Sequence, residues 1–138
     1  MKPIETTPPA NTCDSHAHIL FGPDKYPYIA DKVYTADEAL PEDYWKMAKD
    51  IGISRAVITA PSAYGTNNSA LLDTIALDPK NTRGVASIAY DIDTAELERL
   101  HKLGVRGIRC NMVDMKHGKG TLNLDEIKRL AQRVKPLG

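Results

Sequence analysis

Cys13-Asp14-Ser15-His16-Ala17-His18-Ile19 reads as the first β-strand of a chain of 138 residues. Side chains two apart in a strand point the same way. The spacing therefore predicts His16 and His18 on one face, with Asp14 one step below them. Two adjacent imidazoles can hold a metal, polarise a carbonyl or move a proton. What stands at the end of this strand also separates two architectures. An open doubly wound sheet that binds a dinucleotide places a glycine-rich phosphate turn there. Here histidines occupy that place, which favours an α/β barrel.

Working outward from this strand, strand and helix signals alternate four times. Strand one is predicted over 13–20. A long loop rich in aromatics and proline, 21–40, leads to a helix opening at Pro41. Proline suits the first helical position, and Glu42 and Asp43 complement the helix dipole. Gly52 ends that helix. Strand two is predicted over 55–60, and a second helix carries Leu71, Leu72 and Ile75 up to Pro79. Strand three is predicted over 84–88. Helices three and four open at Asp93 and Asn123, each with a glutamate three residues later, the spacing of a capping box. Gly104 closes helix three, and strand four is predicted over 105–110. Four successive β-α units imply a parallel sheet. A complete (β/α)8 barrel needs roughly 250 residues, so the expected fold class is a barrel truncated to its first four units, a half-barrel. Residues 1–11 read as a flexible polar lead-in and 12–138 as the half-barrel.

Composition narrows the function classes. The formal net charge is zero, with 18 basic and 18 acidic residues, and no basic block points to nucleic acid. No apolar run is long enough to span a bilayer. Cys13 and Cys110 are read as buried free thiols, and the expected location is cytoplasmic. An isolated half-barrel exposes two sheet edges, which invite pairing with another chain. The expectation is a homo-oligomer or a need for a missing C-terminal half.

In parallel α/β folds, chemistry gathers where strands end. Those ends supply His16 and His18 as candidate catalytic residues. They also supply Ser62 and Tyr64 after strand two, and Arg109 and Asn111 at strand four, as candidate substrate-binding residues. Arg106 and Arg109 differ by three and are expected to face opposite ways. An arginine fork suits a carboxylate, because it binds both oxygens. Ser62 lacks the G-x-S-x-G surroundings of a nucleophile elbow and is read as a hydrogen-bond donor. Asn67 and Asn68 read as turn and cap residues. His101, between Leu97 and Leu100, reads as a packing residue. His117 falls in a basic loop with Lys116 and Lys119. The aromatic loop 21–28 fits either a lid or a hydrophobic plug.

Four stretches together resemble the amidohydrolase superfamily, in its 2-pyrone-4,6-dicarboxylate lactonase-like branch. They are 13–18, Phe21-Gly22-Pro23 with Tyr26-Pro27-Tyr28, Pro61-Ser62-Ala63-Tyr64-Gly65-Thr66-Asn67-Asn68, and 104–111. The resemblance implies a (β/α)8 barrel that hydrolyses a carboxylated lactone or cyclic ester. It implies that His16 and His18 line the active site, that Arg109 binds a substrate carboxylate, and that Ser62 adds a hydrogen bond. It favours a reaction with no required cofactor. The alternative is a divalent metal such as zinc on His16 and His18, in a metal-dependent amidohydrolase or decarboxylase. The same resemblance implies further histidines on strands five and six and a catalytic aspartate on strand eight. It also leads to an expected second substrate-binding arginine after strand four, where this chain has Met112-Val113-Asp114-Met115-Lys116. Lys116 or Lys119 would have to substitute. The reading from a different class is a non-catalytic half-barrel that self-associates.

Overall fold

A computed structural model describes residues 6–110 and 123–138. Strands β1 (Cys13–Ala17), β2 (Arg55–Thr59), β3 (Thr82–Ser87) and β4 (Val105–Arg109) alternate with helices α1 (Pro41–Asp50), α2 (Ser69–Leu77), α3 (Thr94–Lys102) and α4 (Leu124–Val134). The strands lie in sequence order in one sheet, β1-β2-β3-β4, and every pairing is parallel. This is the architecture of four consecutive β/α units of a barrel, as the sequence implies.

Local chemistry accounts for most boundaries. Pro41 begins α1, with Glu42 and Asp43 in its first turn. The Asp93 carboxylate accepts from the Glu96 amide at 2.6 Å, and Asn123 Oδ1 accepts from the Glu126 amide at 3.2 Å. Each satisfies one of the orphan N–H groups at a helix start. Gly104 turns the chain into β4 at φ 100°, a conformation closed to most side chains.

One face of the sheet packs on the helices. Ala56, Ile58 and Ala86 from the strands meet Leu71, Ile75 and Leu100 from α2 and α3, all buried. Ile58 and Ile75 are 1% and 2% exposed. Burial of each stabilises by about 1.5–3 kcal/mol relative to exposure. Gly84 lets α2 approach closely, since a Cβ there would meet Ile75 Cδ1 at 2.7 Å. The other face carries Arg55, Val57, Arg83, Val85 and Ser87, exposed or half-buried among the described residues.

Three expectations are corrected. β1 stops at Ala17 instead of running to residue 20, because Leu20 turns away into an antiparallel bridge with Ala39. β3 begins two residues early, at Thr82, paired with Ala56. Cys13 is exposed and Cys110 half-buried, both free thiols. Cys13 pairs with Arg55 on the open side of the sheet, where no helix among the described residues covers it. Phe21, Tyr26 and Tyr28 pack with Tyr64, the ring centroids of Phe21–Tyr26 and Tyr28–Tyr64 each 5.3 Å apart. Ile29, Val33 and Tyr34 stay exposed.

Candidate active site

The histidines emerge at the C-terminal end of β1 with their Nε2 atoms 3.4 Å apart and their rings nearly perpendicular, at 88°. The imidazole Nδ1 of His18 lies 2.8 Å from the Thr59 carbonyl at the end of β2. A carbonyl only accepts, so Nδ1 carries the proton. In the neutral ring, Nε2 of His18 is then an acceptor. The contact between the rings thus makes His16 Nε2–H the donor. With both rings neutral, a backbone carbonyl thereby sets the tautomer of both histidines.

Arg109 reaches the same rim from β4. Its Nη1 donates to the Ala60 carbonyl at 2.9 Å, across the end of β3. Arg106 instead turns back to the His101 carbonyl of α3, at 2.6 Å. The two arginines diverge, although a register shift between Val105 and Gly107 interrupts the simple alternation from which their opposite directions were expected. Consecutive carbonyls at the end of β2, those of Thr59 and Ala60, therefore hold His18 and Arg109.

The remaining candidates separate. Ser62 sits in a short 3-10 turn, Ser62–Tyr64, and its hydroxyl donates to the Tyr34 hydroxyl at 3.4 Å. Tyr64 is 2% exposed, and its hydroxyl donates to the Phe21 carbonyl at 2.6 Å, so its phenol props the aromatic loop. Burial first, then neighbouring Tyr28, pushes its pKa up to about 12, which keeps it a donor. Asn111, with His117, Lys116 and Lys119, lies outside the described residues. His101 lines an apolar cavity of about 130 Å³ with Leu97, Leu100 and Val134, consistent with a packing role.

Asp14 does not lie below the histidines on their face. It pairs with Ala56, on the buried side, and its Oδ2 accepts from Tyr44 of α1 at 3.0 Å. Asn67 behaves as a turn residue, accepting from the Ser69 amide at 3.0 Å. Asn68 stands at the N-cap position of α2, but its side chain makes no cap bond there, contrary to the cap reading. Its Oδ1 accepts from the Ser87 amide at 3.0 Å and its Nδ2 donates to the Ser87 carbonyl at 2.8 Å. This two-bond clamp fixes the end of β3, where Ser87 pairs with Arg109. Sequence reasoning missed both the clamp and Tyr34. The sole signal for the clamp was an amide side chain just before a helix.

The histidine pair also fits half of a zinc site. Zinc–nitrogen bonds of about 2.0–2.1 Å in tetrahedral geometry put two ligand nitrogens about 3.3–3.4 Å apart. Among the described residues, no group of three or more His, Cys, Asp or Glu gathers to complete such a set. The described residues thus do not make a complete metal site.

The amidohydrolase family profile matches residues 13–138. The chain is 33% identical over 131 residues to a 2-pyrone-4,6-dicarboxylate hydrolase of Comamonas testosteroni, covering 94% of this chain and 42% of that protein. It is 31% identical over 133 residues to a 4-sulfomuconolactone hydrolase of Hydrogenophaga intermedia, covering 96% and 43%. A crystal structure of a probable 2-pyrone-4,6-dicarboxylic acid hydrolase from Acinetobacter baumannii, with citric acid bound, superposes with a TM-score of 0.81. The sequence identity is 27%, over 92% of this chain and 46% of that one. The chain thus spans a little under half the length of these relatives. The match over residues 13–138 and the relatives at 33% and 31% identity show that the chain belongs to the amidohydrolase family.

Proposed function

We propose that this chain contributes the first-strand histidines and the carboxylate-binding arginine of a hydrolase that opens an anionic lactone or cyclic ester. The observation that carries this reading is the shared mooring of His18 and Arg109 on the carbonyls of Thr59 and Ala60. That mooring would keep an electrophile-polarising pair and an anion-binding fork on one rim. The named substrates of the relatives, a pyrone dicarboxylate and a sulfomuconolactone, are both lactones bearing anionic groups.

Water would attack the lactone carbonyl carbon, and the acyl C–O bond to the ring oxygen would then break, leaving a carboxylate and a hydroxyl on the opened product. His16 Nε2–H, now given to His18, would turn to the carbonyl oxygen and meet the charge that develops on it. Arg109 would grip a carboxylate and so orient the ring. Ser62 and Tyr34 would offer hydroxyls to a further substrate oxygen. Asp14 is committed to Tyr44 and to the His16 amide, so the general base is assigned to a residue outside this set. We favour a reaction with no required metal. The free thiols suit a reducing compartment, and a cytoplasmic location accompanies the proposal.

The test is hydrolysis of 2-pyrone-4,6-dicarboxylate by the unaltered protein and by His16→Asn, each with and without chelator. Loss of turnover in the variant and indifference to chelator support the proposal. Activity that vanishes with chelator and returns with zinc supports the metal-dependent reading, and unchanged turnover in the variant removes His16 from the mechanism. A second reading rests on the sheet order. β1 and β4 are edge strands among the described residues, and such edges template pairing. A homodimer by sedimentation, without hydrolysis, would favour a self-associating module.

A further inference from the structure

We infer that Asp14 is a positioning residue whose carboxylate turns His16 and His18 out of the helix layer and into the site. The inference rests on the reading of those histidines as site residues. It concerns their direction, which is measurable whether or not the protein turns over a substrate.

Asp14 pairs with Ala56 and Ala17 with Ile58, so β1 advances three residues where β2 advances two. One extra residue on β1 makes a bulge, which reverses the alternation of faces. Ala56 and Ile58 are both buried against the helices, at 2% and 1% exposure. Asp14 and Ala17 therefore share the helix-facing side. In a regular strand His16 and His18 would follow Asp14 onto that side and point at α1. With the extra residue they take the open side, where their Nε2 atoms meet.

Asp14 holds that bulge at both ends of its carboxylate. Oδ1 accepts from the backbone amide of His16 at 3.0 Å, an Asx-type turn that supplies the amide with a partner where the ladder lapses. Oδ2 accepts from the Tyr44 hydroxyl at 3.0 Å, which ties the bulge to α1. Burial first, and then the bond to Asp14, raises the Tyr44 pKa, so the phenol remains a donor. A side chain with two acceptor oxygens suits this double task. Asparagine keeps one oxygen for the His16 amide and offers an N–H to the Tyr44 oxygen. Alanine keeps neither.

The experiment is a long-range ¹⁵N–¹H spectrum of the full chain labelled at histidine, for the unaltered protein, Asp14→Asn and Asp14→Ala. The unaltered chain is expected to show His16 protonated at Nε2 and His18 at Nδ1. Asp14→Asn should keep that pattern, and Asp14→Ala should lose it to averaged tautomers at both rings. An unchanged pattern in Asp14→Ala overturns the inference, as does its complete loss in Asp14→Asn. Should Asp14→Ala fail to fold, hydrogen exchange at the His16 amide of the unaltered chain decides. Protection is expected, and exchange at the rate of an open coil amide overturns the inference.

Discussion

His18 and Arg109 come from opposite edges of the sheet, yet they hang from adjacent carbonyls, those of Thr59 and Ala60, at 2.8 and 2.9 Å. The end of β2 is thus a common anchor for these two side chains on the rim. Perturbing it should disturb ligand orientation and histidine tautomer together.

Replacement of His16 by Asn removes the Nε2–H assigned to the carbonyl oxygen. Loss of one oxyanion donor costs about 10²–10³ in kcat. Steady-state hydrolysis of 2-pyrone-4,6-dicarboxylate is expected to fall by that factor, with a smaller change in KM.

Asn68→Ala should cost about 1–3 kcal/mol of folding stability, because it leaves the Ser87 amide and carbonyl without their side-chain partner. Urea denaturation measures this directly. Asn68→Asp should be intermediate, since it keeps an acceptor for the Ser87 amide and loses the donor.

A side chain at Gly84 has no room. A Cβ there would meet Ile75 Cδ1 at 2.7 Å and Leu71 Cδ1 at 3.1 Å. Gly84→Val should destabilise by about 1–3 kcal/mol through overpacking between β3 and α2. The same denaturation curve reads it out.

Alkaline stability follows from the tyrosines. Burial, with help from Asp73, raises Tyr26 to about 12, and burial raises Tyr64 to about 12. Tyr44 is raised as well. Phenols raised in the folded state ionise first in the unfolded chain, so their contribution is complete below pH 10 and is lost between about pH 10 and 12. Tyr26→Phe should flatten that part of the stability profile. A profile as steep as that of the unaltered chain would contradict the assignment.

Much of this was legible in the sequence because it is local. Pro41, Asp93 and Asn123 announce helix starts through contacts within one turn. The β-α alternation gives the parallel sheet, and His16, His18 and Arg109 declare themselves as unusual groups at strand ends. The bulge in β1 was not legible. It depends on a carboxylate that bridges His16 and Tyr44, the latter 30 residues away. Simple alternation therefore placed Asp14 on the wrong face. The Asn68–Ser87 clamp spans 19 residues and has no periodic signature. Cys13 carries an apolar residue's expectation of burial, but its face of β1 has no helix over it among the described residues.

The most direct test of the central claim is calorimetric titration of 2-pyrone-4,6-dicarboxylate into the His16→Asn protein, in which turnover is expected to be suppressed, with and without Arg109→Met. A charge-assisted pair contributes about 1.5–3 kcal/mol, and about 1.4 kcal/mol is tenfold in affinity. The account predicts saturable binding that weakens by about 10- to 100-fold when Arg109 is replaced. Equal affinity in the two proteins, or no binding by either, would contradict it.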